Sequence, residues 1–218
     1  MAVAKEGNYD VVVKKISLFF FTLLAYIGIL KFAGYEHNYI SILLTDSIFA
    51  IIVLVFFIIN SKTTIRLLHL KKFSYRIMLY ILILAPIAAL AINYLAHFLN
   101  QNIFDKSAEI YYNQFKDSPA PLLLSIISIG LFPAIFEEIA FRGILFNESL
   151  KIMGLKPTIF VTSILFTILH LSIISVVWIL PIGILLGYFR AKYNSLWYGI
   201  MIHFTYNSSI VLLQIILR

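Results

Sequence analysis

Cysteine is absent from all 218 residues, which excludes disulfides, thiol nucleophiles and Cys-ligated metals. Charge is scarce as well: Asp, Glu, Lys and Arg make up 12% of the chain against 61% hydrophobic residues, and mean hydropathy is +0.96. A soluble domain cannot keep so much apolar surface from water, so this composition belongs to a membrane protein. Several chemical motifs are missing too. There is no His-Glu-x-x-His to hold zinc on a helix face, no Gly-x-Ser-Gly to seat a serine nucleophile, and no pair of intramembrane aspartates to share a proton. Asp46 lies near the start of an apolar stretch, where it is expected to cap a helix. Neither an internal repeat nor a low-complexity tract is present, which argues against a transporter built from repeated halves.

What fills the chain instead is a series of apolar stretches close to the roughly 20 residues that cross a bilayer. They lie at about 16–34, 40–60, 77–99, 120–140, 157–172, 174–190 and 195–215. They predict an all-α, polytopic transmembrane helix bundle of about seven spans, the fourth continuing as a helix to about Met153. Lys and Arg gather on the cytoplasmic side of a membrane. With the N-terminus inside, Lys5, Lys14, Lys15, Lys62, Arg66, Lys71, Lys72, Arg76, Arg142, Lys151, Lys156, Arg190 and Lys192 are cytoplasmic, and only Lys31, Lys106, Lys116 and Arg218 fall outside. The net charge of +7 is therefore read as membrane topology and attraction to anionic lipid, and no nucleic-acid partner is expected. The first span is flanked by Lys14-Lys15 and runs to Tyr35 without a small-residue cleavage site, the pattern of a retained anchor. The expected organisation is a cytoplasmic segment at 1–15, a three-span region at 16–119 and a region at 120–218 that carries the chemistry. The polar connection from Asn100 to Pro119, with Asp105, Glu109 and Asp117, is expected outside. Abundant Ile, Phe, Lys and Asn suit an AT-rich microbial genome, hence a multi-pass protein of a prokaryotic cell membrane.

Three polar constellations interrupt the apolar pattern of the last hundred residues: Glu137-Glu138-x-x-x-Arg142, Phe166-x-x-x-His170 and His203-x-x-x-Asn207. Each falls within a predicted span, where an ionisable residue is a functional hypothesis by default because its burial costs from about 3 to more than 10 kcal/mol. Consecutive helical residues diverge by 100°, so the two glutamates cannot share a direction. Arg142 follows Glu138 by four residues, the favourable orientation for an ion pair, which leaves Glu137 for chemistry. His203 and Asn207 project together for the same reason. Counting 1.5 Å per residue from the intervening turns brings Glu137, His170 and Asn207 to similar depths. Pro133 removes a helix hydrogen bond to the Ile129 carbonyl one turn before Glu137, an interruption that membranes tolerate where protein or water re-satisfies the backbone, and a wet cavity is expected there. Gly183 and Gly187 have the spacing of close helix packing. His37, His69 and His97 lie in loops or near span ends, and Trp197 and Tyr198 are expected in the interfacial aromatic belt.

Together the three motifs, in this order and with Asn194-Ser195-Leu196-Trp197 leading into the last His, resemble the CAAX protease and bacteriocin-processing (CPBP, or Abi) family of intramembrane proteases. The resemblance covers roughly the last 100 residues. It implies an active site in a membrane-embedded cavity and an endopeptidase acting on a peptide or membrane-protein substrate, with or without an attached lipid. Glu137 as general base, helped by His170, would activate water, and His203 and Asn207 would stabilise the oxyanion; Phe166 is a packing residue of its motif. It leaves metal open: Glu137, His170 and His203 could equally hold a divalent ion such as zinc, with water in the fourth position. A second reading also stays open, in which the protein is a scaffold or bacteriocin-immunity factor that binds a partner without cutting it.

Overall fold

The computed structural model describes residues 6–33, 38–69, 73–102 and 111–217. Lys5, Tyr35, His37, Lys71, Lys72, Asp105, Lys106, Glu109 and Arg218, to which the topology and loop readings extend, lie outside the described residues. All regular structure among the described residues is helical, as it must be when apolar surroundings offer the backbone no water to bond. The principal helices are α1 (Glu6–Phe32), α2 (Tyr39–Ile59), α3 (Tyr75–Asn102), α4 (Pro121–Ser149), α5 (Leu155–Leu169), α6 (Val176–Tyr193) and α7 (Trp197–Ile216). Six of them are long and apolar enough to cross a membrane. The exception is α5, whose 15 residues span about 22 Å at 1.5 Å each, short of the roughly 30 Å hydrocarbon core. The stretch 157–172 is thus a shorter helix than its hydropathy suggests.

Local chemistry sets the ends. Asn38 caps α2, its Oδ1 accepting from the Ser41 N–H at 3.0 Å while the Asn38 N–H donates to Ser41 Oγ at 3.2 Å, a reciprocal box. Asp46, expected to be that cap, lies two turns further along, where its carboxylate accepts a hydrogen bond from Ser128 Oγ; Asn38 already satisfies the first turn. Pro121 opens α4, where its missing N–H costs nothing. Asn194 ends α6 in the left-handed conformation, φ 47°, which asparagine tolerates better than most residues. Leu171, just past α5, adopts φ 46° without that help, and Lys31 Nζ donates to its carbonyl.

The chain forms two compact units. The first takes its described residues from Met1–Tyr35, Ser47–Lys72 and Phe136–Gly199. Within it α1 meets α2 through Phe19 and Phe56, ring centroids 4.5 Å apart. A single α-turn (Ser61–Thr64) and a 3-10 turn (Ile65–Leu68) receive the start of α7: the Leu196 N–H and Ser195 Oγ donate to the Leu67 carbonyl, and Trp197 Nε1 to that of Leu68 at 2.6 Å. Tyr198 is fully buried and packs against Tyr193 at 4.5 Å, so of the two aromatics expected at the interface only Trp197 is exposed. The row of hydroxyls on α5 is made tolerable by bonds to its own backbone, Thr158 to Gly154, Thr162 to Thr158, Ser163 to Ile159 and Thr167 to Ser163. That row faces α6 closely: a Cβ on Gly183 would sit 3.1 Å from Ser163 Cβ, and one on Gly187 3.1 Å from Ile159 Cγ2.

The second unit takes its described residues from Glu36–Asp46, Phe73–Ile135 and Ile200–Arg218. Here α4 meets α7 at Gly130, where a Cβ would lie 2.5 Å from Ser208 Oγ and 3.5 Å from the Phe204 ring.

Gly183→Leu should overpack the α5–α6 contact and lower stability by about 1–3 kcal/mol, read as a lower melting temperature in detergent. Gly28→Leu, where nothing lies within 4 Å of the position of a Cβ, should leave it unchanged.

Candidate active site

Helix α4 is not uniformly α-helical. Two stretches, Ile126–Leu131 and Ile139–Leu145, wind as π-helix, separated by an α-helical Phe132–Glu138. Such insertions strain the regular ladder and are common at functional sites. Here they bracket Glu137 and Glu138.

Glu138 is fully buried, and its Oε1 accepts from Arg142 Nη1 at 3.0 Å, the arginine being only 1% exposed. Arg142 Nη2 donates to the Gly183 carbonyl at 3.1 Å, and its guanidinium lies 4.4 Å over the Phe166 ring. Phe166 in turn meets Phe141 edge to face at 5.1 Å. A buried charge needs an opposite charge, hydrogen bonds for its remaining groups and tight packing; Arg142 has all three. The other carboxylate oxygen, Oε2, lies where only glycine fits: a Cβ on Gly199 would be 2.5 Å from it.

Glu137 sits one helical step round from Glu138 and is half-buried. Its level follows from helix geometry. The Phe141–Phe166 contact lies about equally far in sequence on either side of the turn at Gly154, so α4 and α5 form an antiparallel hairpin. One turn further from the turn on each arm come Glu137 and His170. The helix stops at Leu169 and His170 is its exposed C-terminal cap, so this histidine stands at a helix end, not inside a span as its hydropathy suggested. His170 Nδ1 is 3.0 Å from the Phe166 carbonyl. A carbonyl only accepts, so Nδ1 carries a proton, and in the neutral ring Nε2 has the lone pair that a base requires.

In the second unit His203 is 6% exposed and Asn207 follows it by one turn on α7. Asn207 Nδ2 donates to the Ile129 carbonyl at 2.9 Å. That carbonyl is the one an N–H at position 133 would reach in an α-helix, and Pro133 has none. The Ile129 carbonyl, beside the break that the proline makes in the backbone ladder, is thus bonded by a side chain of α7.

The second π-helical stretch has a counterpart. Arg190 Nε donates to the Arg142 carbonyl at 2.9 Å, while its other nitrogens reach Asn194 Oδ1 at 3.0 Å and Asn147 Oδ1 at 2.8 Å, and the guanidinium covers Phe146. Sequence reasoning counted Arg190 only as a cytoplasmic charge. The available signal was its spacing of four from Asn194; for Gly199 it was a position one turn before His203. Asp46 with Ser128 was missed because its partner is 82 residues away. His69 and His97 are exposed. Among the described residues no group of three or more His, Asp or Glu side chains is arranged to hold a metal ion.

Helical spans, a buried Glu-Arg pair and a glutamate level with a histidine define a multi-pass integral membrane protein with polar chemistry inside its apolar helices. The segment that holds all three motifs can be placed further. Residues 119–209 match the family model described as type II CAAX prenyl endopeptidase Rce1-like, so this segment is similar to that family, in line with the resemblance to the CPBP family. No curated protein and no solved structure matches the chain.

Removing either half of the buried pair leaves the other charge uncompensated, at a cost of about 3–5 kcal/mol. Glu138→Ala and Arg142→Ala should therefore melt well below the parent in detergent. Gly199→Ala, which pushes a methyl group against Glu138, should follow them in direction. Parent-like melting of the first two would refute the structural role given to the pair.

Proposed function

We propose that this protein hydrolyses a peptide bond of a membrane-associated substrate, lipidated or transmembrane, using Glu137 and a water molecule. The observation that carries the reading is the division between the two glutamates: Glu138 is engaged by Arg142 in full burial, whereas Glu137 is half-buried and level with His170. Glu137 takes a proton from water with the help of the His170 Nε2 lone pair. The hydroxide adds to the scissile carbonyl carbon, and the proton passes to the leaving amine as the carbon–nitrogen bond breaks. His203 and Asn207 are assigned the oxyanion, a role worth about 3–4 kcal/mol per donor where it has been measured. Every step uses side chains of this chain and water. A zinc ion held by Glu137, His170 and His203 is the competing arrangement. The thirteen-to-four distribution of basic residues supports a cytoplasmic N-terminus.

The test uses purified, reconstituted protein and a prenylated CAAX peptide, the substrate class named in the family description that residues 119–209 match. Glu137→Gln, His170→Ala and His203→Ala should each cut activity at least about a hundredfold while melting like the parent. Activity should survive exhaustive treatment with a zinc chelator, and its loss with recovery on adding zinc would favour the metal arrangement. If Glu137→Gln cells keep the full phenotype and no membrane peptide accumulates uncut in their proteome, the protein works by holding a partner instead.

A further inference from the structure

The Asn207 amide is held by a carbonyl that a proline has set free. We infer that Pro133 is a positioning residue for Asn207, an inference that rests on the protease reading given above. An N–H at position 133 would reach the Ser128 carbonyl with π winding and the Ile129 carbonyl with α winding. Proline supplies no N–H, and the Ile129 carbonyl accepts from Asn207 Nδ2 at 2.9 Å instead. The Phe132 N–H reaches back five residues to Ile127 and α winding resumes from Phe132, so position 133 stands at the change of register, where an N–H would compete with Asn207 for the Ile129 carbonyl.

A second observation explains how so short a side chain reaches a backbone carbonyl. The residues that follow the two partners, Gly130 and Ser208, are in close apposition, a Cβ on Gly130 being only 2.5 Å from Ser208 Oγ. Glycine lets α7 approach α4 at the level where the amide must bond.

The consequence concerns the direction of the amide. A carbonyl can face only the NH2 end of an asparagine, because turning the amide over would set two acceptors against each other. With one N–H committed to Ile129, the plane of the amide is fixed and its second N–H points in one direction. A donor held in place before charge develops needs no reorganisation when the oxyanion forms. Pro133 therefore acts through Asn207, without touching the reacting atoms.

The experiment combines a stability cycle with kinetics on the full chain. Asn207→Ala in the parent strands the Ile129 carbonyl and should lower the melting temperature clearly. In a Pro133→Ala background, where the backbone N–H takes the carbonyl, the same substitution should cost much less, so the two changes are strongly coupled. With a prenylated CAAX peptide, Pro133→Ala should lower kcat about tenfold or more with KM little changed, while melting at or above the parent temperature. Pro133→Gly, which also restores the N–H, should show the same kcat defect. Additive melting shifts, or an unchanged kcat in Pro133→Ala, would overturn the inference. A parent protein that never cuts the peptide would count against the protease reading, and the stability cycle would still decide whether the proline frees the carbonyl for Asn207.

Discussion

The arrangement of the first unit depends on the need to bury one guanidinium. Arg142 is 1% exposed among apolar helices, where an uncompensated charge would be prohibitive. It reaches Glu138, the Gly183 carbonyl and the face of Phe166 at once. These contacts tie α4 to α5 and α6, which explains why the small residues that permit the α5–α6 approach, Gly183 and Ser163, lie close to the same group. The pair adds little net stability by itself, since its Coulombic gain is spent on desolvation. Its effect is on register: α4 cannot slide or rotate against its neighbours without stranding a charge.

That constraint gives the neighbouring Glu137 its character. Two adjacent carboxylates in an apolar helix would ordinarily share a fate, but 100° of rotation sends one into the ion pair and leaves the other half-buried. His170, at the end of a helix too short to continue, offers a ring whose Nδ1 is already tied to a carbonyl, so only Nε2 is open to proton transfer.

A second principle runs through α4. Each of its π-helical stretches contains a carbonyl that a side chain from another helix satisfies, Ile129 by Asn207 and Arg142 by Arg190. In an apolar environment a carbonyl left unpaired costs several kcal/mol, so irregular backbone survives only where such a donor is at hand. Asn207 and Arg190 are thus as much a part of the α4 backbone as of their own helices.

Much of this was legible from composition and spacing. Hydropathy located the spans, because apolar length against bilayer thickness is a one-dimensional comparison, and spacing anticipated the Glu138–Arg142 pair, because residues four apart on a helix meet whatever surrounds them. The same arithmetic misjudged α5, since hydropathy does not register where a helix stops, and placed Tyr198 at an interface although it is buried against Tyr193. It gave Asp46 a capping role that Asn38 performs. The partners of Asp46, Arg190 and Glu138 Oε2 (Ser128, the Arg142 carbonyl and the space left by Gly199) were beyond it, as was the π-helical winding of α4. Periodicity reports only neighbours along one helix, whereas these contacts depend on which helix lies alongside and how close a missing side chain lets it come; that is decided by packing in three dimensions, and only the tertiary structure contains it.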